Sequence, residues 1–122
     1  MMPAALGPWL AGERVEVYRC RPRGDWSIRL PGGQVIGHAD EVDLDEVEFR
    51  VQPAGRERAR AEKRRNVHAY VVGRVGAGAH AGRPVTYRPA VDDTFVWLDT
   101  GEPVHRAAAV TLHADGSATA LV

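Results

Sequence analysis

Apolar and polar side chains alternate with a period of two in several short segments of this chain, and this alternation limits the fold more than any other feature. The clearest core-type runs are Trp26, Ile28 and Leu30, and Val47, Phe49 and Val51. Successive side chains of a β-strand point to opposite faces, so the pattern predicts strands with one buried face. Glycine-containing turns separate the segments, and Asp115-Gly116 is the strongest hairpin signal among them. The chain is therefore predicted to be rich in antiparallel strands.

The 122 residues correspond to one domain by the usual relation between chain length and domain count. We predict a docking arm over residues 1–12, a β-meander over 13–52, a basic helix over 55–66, and a second set of strands with a C-terminal hairpin over 67–122. The predicted fold class is α+β, with a mostly antiparallel, curved or barrel-like sheet that carries the one basic helix.

The helix prediction rests on the composition of residues 55–66. Alanine, arginine, lysine and glutamate are strong helix formers, and Arg58 and Glu62 form a supportive pair four residues apart. Ala59 and Ala61 are the only apolar side chains between charged positions, so the segment lacks the apolar stripe of a typical surface helix. We expect the helix either to lie on the sheet through its alanines or to be displayed for a partner.

The same segment concentrates positive charge, although the acidic and basic residues of the whole chain balance at 16 each. Phosphate groups are recognised by such charge, and the aromatic ring that follows could stack on a base. The predicted nucleic-acid-binding residues are Arg56, Arg60, Lys63, Arg64, Arg65 and Tyr70.

A block of acidic residues precedes the basic segment, and its first part, residues 40–45, is predicted to be a solvated connection. The acidic block consists of Asp40, Glu41, Asp43, Asp45, Glu46 and Glu48. The two blocks either polarise the surface or neutralise each other. The sequence leaves both interpretations open.

Cysteine content and hydrophobicity favour a reducing compartment away from membranes. Cys20 is the only cysteine, so it has no internal disulfide partner. The first ten residues lack a charged start and an unbroken apolar run, and no later segment approaches the roughly 20 apolar residues needed to cross a bilayer. We expect a cytoplasmic protein.

The residues that could carry chemistry do not form a convincing catalytic or metal pattern. His38, Asp40 and His68 could supply three ligands, but their spacing matches no zinc frame. Cys20 is better explained by packing than by nucleophilic catalysis. We therefore predict no metal, no cofactor and no enzymatic activity.

Motifs spread over most of the chain resemble those of a known class of proteins. They include Val15-x-Val17-Tyr18, Val35-x-Gly37-His38-Ala39-Asp40, Lys63-Arg64-Arg65-Asn66-Val67-His68-Ala69-Tyr70 and Gly101-Glu102-Pro103-Val104. The chain is similar to small uncharacterised proteins encoded by bacterial plasmids and phages. It departs from that class at Arg88, where an asparagine is customary. The resemblance implies an accessory protein of a mobile element and does not assign an activity.

Two functions are consistent with these observations. The first is a non-catalytic protein that binds DNA or RNA phosphates through the basic segment. The alternative is a protein-binding inhibitor or modulator of a host defence or transcription enzyme, in which either charged block covers or mimics a nucleic-acid surface. The oligomeric state is not predicted.

Overall fold

The computed structural model describes residues 11–51, 69–76, 80–88 and 94–122. Nine strands make up its regular structure. They are β1 (Arg14–Cys20), β2 (Asp25–Arg29), β3 (Val35–Ala39), β4 (Val42–Val51), β5 (Ala69–Val75), β6 (Arg83–Arg88), β7 (Thr94–Trp97), β8 (Arg106–Leu112) and β9 (Ser117–Leu121).

The nine strands form one antiparallel sheet in the order β3-β2-β1-β5-β4-β8-β9-β6-β7. Strands that are consecutive in the chain lie side by side in five pairs, β1–β2, β2–β3, β4–β5, β6–β7 and β8–β9, and β4 lies between β5 and β8. The turn between β8 and β9 contains Gly116, whose φ of 91° is readily adopted by glycine. The two halves of the chain are thus joined through β4.

The sheet is open at β3 and curls at its other end. Val104 donates its backbone N–H to the carbonyl of Phe95 at 2.9 Å, which attaches β7 to the segment preceding β8. The backbone N–H of Phe49 in turn donates to the carbonyl of His105 at 2.9 Å. The end of β4 and the start of β7 therefore approach each other across residues 103–105.

One face of the curled sheet holds the apolar core. Its larger members include Val15, Val17, Trp26, Ile28, Leu44, Phe49, Val71, Val85, Phe95, Val110 and Leu112. Each comes from a strand in which alternate side chains face the same way, so the period-two pattern brings them together. The indole N–H of Trp26 donates to the carbonyl of His113 at 2.7 Å, which satisfies the polar atom of the largest fully buried side chain.

The α+β fold class predicted from the sequence is wrong. Throughout the part of the chain that the structure describes, every regular element is a strand, so the fold is all-β. The basic helix predicted over residues 55–66 falls outside the described residues, as do the first ten residues of the predicted docking arm. The helix prediction rests on helix propensity and on one pair of charges four residues apart, and both are weak local preferences.

The prediction of a solvated connection over residues 40–45 is also wrong, because β4 begins at Val42. Val42 and Leu44 are buried in the core, while Asp43 between them and Asp45 after them lie on the opposite face. The alternation of apolar and acidic side chains is that of a strand with one buried face. The acidic side chains at these positions favour a solvated loop when the sequence is considered alone, although the apolar residues between them alternate as in a strand.

A β-bulge in β4 explains how both halves of this long strand face the core. Core-facing positions change from even numbers at Leu44 to odd numbers at Val47, and the pairing register with β5 shifts between Asp45 and Glu48. Glu46 takes up the extra residue at a φ of 53°. Gly73 lies opposite, and a side chain there would come within 3.1 Å of the Asp45 carbonyl oxygen. Glycine at this position gives the bulge the room that it needs.

Candidate nucleic-acid interface

The predicted basic residues belong to the connection between β4 and β5, residues 52–68, which lies outside the described residues. These predicted residues are Arg56, Arg60, Lys63, Arg64 and Arg65. The two ends of the connection are fixed side by side, because Val51 pairs with Ala69. An antiparallel pair can be joined by roughly two to five residues, so this connection is far longer than the strands require.

Tyr70 is the one predicted binding residue that the structure describes, and it lies near the start of β5. Its ring is partly buried, with the guanidinium carbon of Arg29 at 5.2 Å from the ring centroid. Its phenolic oxygen accepts a hydrogen bond from Arg50, the cross-strand neighbour of Tyr70 in β4. The structure thus gives Tyr70 partners within the protein, and its role in stacking on a base stays a prediction.

Arg29 is the centre of a buried polar cluster on the face of the sheet opposite the core. It is only 5% exposed, and its Nε donates to Glu16 Oε1 at 2.7 Å. Its guanidinium carbon lies 5.1 Å from the ring centroid of Tyr18, in addition to the contact with Tyr70. A buried charge persists only when it is paired and hydrogen-bonded, and Arg29 meets both conditions. We call Glu16, Tyr18, Arg29 and Tyr70 the arginine cluster.

A second group of charges surrounds Glu48 at the end of β4. Arg50 Nε donates to Glu48 Oε1 at 2.8 Å, and an Arg106 nitrogen lies 3.6 Å from Glu48 Oε2. The hydrogen bond from Arg50, and then its positive charge, lower the pKa of Glu48 below its ordinary value. Hydrogen bonds to Tyr70 and Glu48 raise the pKa of Arg50. These arginines therefore have carboxylate partners within the sheet.

Other members of the acidic block also have partners in the described sheet. Asp43 Oδ1 accepts a hydrogen bond from the hydroxyl of Thr111 at 2.6 Å. Glu46 Oε1 accepts one from Arg74 Nε at 3.0 Å. Strand pairing sets the first of these contacts, because Asp43 is the direct neighbour of Thr111 in β8. The acidic block thus contributes to interactions that link β4 to the strands beside it.

One pair of side chains superficially resembles a nucleophile and its base. Ser27 Oγ and His38 Nδ1 are hydrogen-bonded at 2.9 Å across β2 and β3. Ser27 is fully buried, so its hydroxyl cannot meet a substrate, and the bond links two neighbouring strands. Within residues 11–51, 69–76, 80–88 and 94–122, no group of three or more potential ligand side chains could hold a metal ion. The absence of enzymatic activity stays a prediction.

Sequence reasoning missed an apolar cleft of about 390 Å³ at the end of the core. It is lined by Phe49, Arg50, Val51, Thr94, Phe95, Pro103, Val104 and His105. The two phenylalanine rings lie with their centroids 5.1 Å apart. Val51 provided a signal in the sequence, since it continues the core-facing alternation of β4 beyond Phe49. The proximity of β7 could not be read from that alternation.

Within the described part of the chain, no helix has the length and apolar character required to cross a bilayer. The predicted cytoplasmic location stays a prediction.

Comparison with known proteins identifies the relatives of the chain. The sequence family described as "Mycobacterium phage L5 gene 82 protein" matches residues 9–120. The Gene 82 protein of Mycobacterium phage L5 is 32% identical over 112 residues, which cover 89% of this chain and 79% of that relative. No solved structure matches the chain. The resemblance to small phage proteins is confirmed, and the chain belongs to the family of the Mycobacterium phage L5 gene 82 protein.

Proposed function

We propose that this member of a phage protein family is a non-catalytic accessory protein that binds nucleic-acid phosphates through the basic residues of the connection between β4 and β5. The observation that carries the proposal is the engagement of the acidic block with the sheet. Asp43 bonds to Thr111, and Glu46 and Glu48 pair with Arg74 and Arg50. These pairings favour a polarised protein over mutual neutralisation of the two blocks.

The distribution of charge supports the same conclusion. Residues 52–68 contain six of the 16 basic and two of the 16 acidic residues, which gives this connection a net charge of +4. The rest of the chain, with ten basic and 14 acidic residues, therefore has a net charge of −4. A polyanion is attracted to the positive connection and repelled by the negative remainder of the chain, so electrostatics alone would direct phosphates to the connection.

Several sheet arginines outside the connection are offset by carboxylates at close range. Arg29, Arg74 and Arg83 each have a carboxylate oxygen within 3.0 Å of a guanidinium nitrogen. A cation already paired in this way offers less to a phosphate, because its charge is partly neutralised. We therefore expect most of the binding free energy to come from Arg56, Arg60, Lys63, Arg64 and Arg65.

The test is equilibrium binding of the full chain to short DNA and RNA strands, single and double, across a salt series. The variant Arg64→Glu, Arg65→Glu reverses two charges within the basic segment. A matched control, Arg21→Glu, Arg23→Glu, makes the same change of net charge at the exposed turn between β1 and β2. We expect affinity to fall steeply with salt, to be lost in the first variant and to be largely retained in the control.

Absence of binding at low salt would overturn the proposal and direct attention to the alternative, a protein of the host as the partner. Equal losses in both variants would also contradict it, because the effect would then follow net charge rather than the basic segment.

A further inference from the structure

We infer that a polar cleft beside the β-bulge of β4 binds a phosphate group through Arg14 and Arg106. The site lies within the described sheet and goes beyond the proposed function, because it uses none of residues 52–68. The polar cleft has a volume of about 450 Å³ and is lined by Arg14, Glu46, Val47, Glu48, Arg106 and Ala107. Both a nucleic-acid backbone and a free mononucleotide carry a phosphate group, and the experiment separates these two sources.

Strand pairing places both arginines of the polar cleft on the face of the sheet opposite the core. Arg106 is the direct neighbour of Glu48 in β4, and Glu48 is paired with Val72 of β5. Val72 is paired in turn with Glu16, which lies two residues after Arg14 in β1 and therefore points to the same side. The two arginines thus approach the cleft from β1 and β8, with β5 and β4 between them.

The two glutamates of the polar cleft are already paired with arginines that do not line it. Glu46 accepts a hydrogen bond from Arg74 at 3.0 Å, and Glu48 accepts one from Arg50 at 2.8 Å. These pairs offset the negative charges of the glutamates. The two arginines that line the cleft therefore remain as a surplus of positive charge, which suits an anion.

Both arginines of the polar cleft are accessible, and neither is held by a close carboxylate. Arg14 is exposed and forms no ion pair with any carboxylate in the described part of the chain. The side chain of Arg106 is 81% exposed, and its separation from Glu48 Oε2, 3.6 Å, is longer than a hydrogen bond. Arg50 is the main cause of the lowered pKa of Glu48, and the charges of both cleft arginines add to it, so the two act on the same point of the cleft.

Two arginines that approach from two sides suit a phosphate better than a carboxylate. A carboxylate has two oxygens in one plane, and a single guanidinium can engage both through parallel N–H bonds. The oxygens of a phosphate point in tetrahedral directions, so the group can accept hydrogen bonds from guanidinium groups on two sides. The β-bulge at Glu46 lies beside this cleft, and bulges commonly redirect side chains next to active sites.

The test is an NMR titration of the full chain with adenosine monophosphate, in which the backbone amide signals of Glu46 and Val47 report on the polar cleft. Adenosine, which lacks the phosphate, is the matched ligand, and sodium chloride at equal ionic strength controls for general salt effects. We expect saturable shifts of both signals with the nucleotide, and none with adenosine or with chloride.

Two charge-neutralising variants locate the binding site. Arg14→Gln with Arg106→Gln should weaken binding of the nucleotide at least about 10-fold, because charge-assisted hydrogen bonds to the phosphate are lost. Both side chains are exposed, so we expect the variant to fold, and its amide signals outside the cleft check this. Arg21→Gln with Arg23→Gln, which removes the same charge from the exposed turn between β1 and β2, should leave the affinity unchanged.

A single-stranded oligonucleotide without a terminal phosphate, added to the Arg64→Glu, Arg65→Glu variant, identifies the source of the phosphate. Shifts of the same amide signals would show that the polar cleft accepts backbone phosphates without the basic segment. Shifts with the mononucleotide alone would support a site for a free phosphate group.

Three results would overturn the inference: no saturable shift with either phosphate ligand, equal shifts with adenosine, or equal affinity in the Arg14→Gln, Arg106→Gln variant. Failure of the basic segment to bind nucleic acid would leave the mononucleotide titration unaffected. The failure of this inference and the failure of the proposed function are therefore distinguishable.

Discussion

The burial of the arginine cluster predicts that the free energy of unfolding depends on the charge of Glu16. Replacing Glu16 with glutamine keeps the shape of the side chain but removes the charge that neutralises Arg29. The side chains of Arg29 and Glu16 are 7% and 13% exposed, so water cannot replace the lost carboxylate. Removing one partner of a buried ion pair costs roughly 3 to 5 kcal/mol, because the other charge stays buried without compensation.

We expect Glu16→Gln to lower the free energy of unfolding by about 3 kcal/mol, near the small end of that range. The glutamine oxygen can still accept the hydrogen bond from Arg29, and the rings of Tyr18 and Tyr70 remain in contact with the guanidinium. An unfolding entropy of about 2.1 cal/mol/K per residue converts this loss to a decrease in Tm of roughly 12 °C.

Urea unfolding followed by tryptophan fluorescence and by circular dichroism measures the loss. The control is Asp99→Asn, the same chemical change at the ion pair with Arg83, whose side chains are 54% and 42% exposed. Exposed pairs contribute about 1 kcal/mol or less, so the control should be almost neutral. A loss in Glu16→Gln no larger than in the control would refute the interpretation of Arg29 as a buried, charge-dependent centre.

Two further predictions concern the sheet and its charges. Gly82→Ala should be strongly destabilising, because the new Cβ would lie 1.9 Å from the carbonyl oxygen of Ala120, whereas Gly32→Ala, with open space around it, should be neutral or slightly stabilising in the same urea experiment. Arg50→Gln should raise the pKa of Glu48 toward its ordinary value in an NMR titration, since Arg50 is the main cause of the lowering. A lowered pKa means that the stabilisation from ionised Glu48 is present above the ordinary value and is lost as pH falls through the lowered one, so this pH dependence should weaken in Arg50→Gln. An unchanged pKa of Glu48 in that variant would contradict the assignment of the cause.

The sequence predicts where several strands lie, but it does not predict which strands are adjacent in the sheet. The alternation of apolar and polar residues predicts β2 and the second half of β4. The three-residue step between the apolar residues Leu44 and Val47 breaks this alternation at the bulge. The first half of β4 was misread because aspartate is uncommon in strands, while the burial of Val42 and Leu44 outweighed that preference.

The candidate sites depend on contacts that are distant in the sequence. Arg29 lies 13 residues from Glu16, and its second aromatic neighbour, Tyr70, comes from β5 on the far side of β1. The cleft requires β7 to reach the end of β4, a consequence of the curl of the sheet. Periodicity reports which face a side chain occupies and contains no information about strand order, so neither arrangement could be predicted.

The most direct test of the account is the slope of log affinity against log salt for a single-stranded oligonucleotide. Each phosphate contact in a single strand contributes about 0.7 to the slope, so Arg64→Gln with Arg65→Gln should reduce its magnitude by about 1.4. Arg21→Gln with Arg23→Gln, which removes the same charge elsewhere, should leave the slope unchanged. Identical slopes for the wild type and both variants would contradict the claim that the basic segment contacts phosphates.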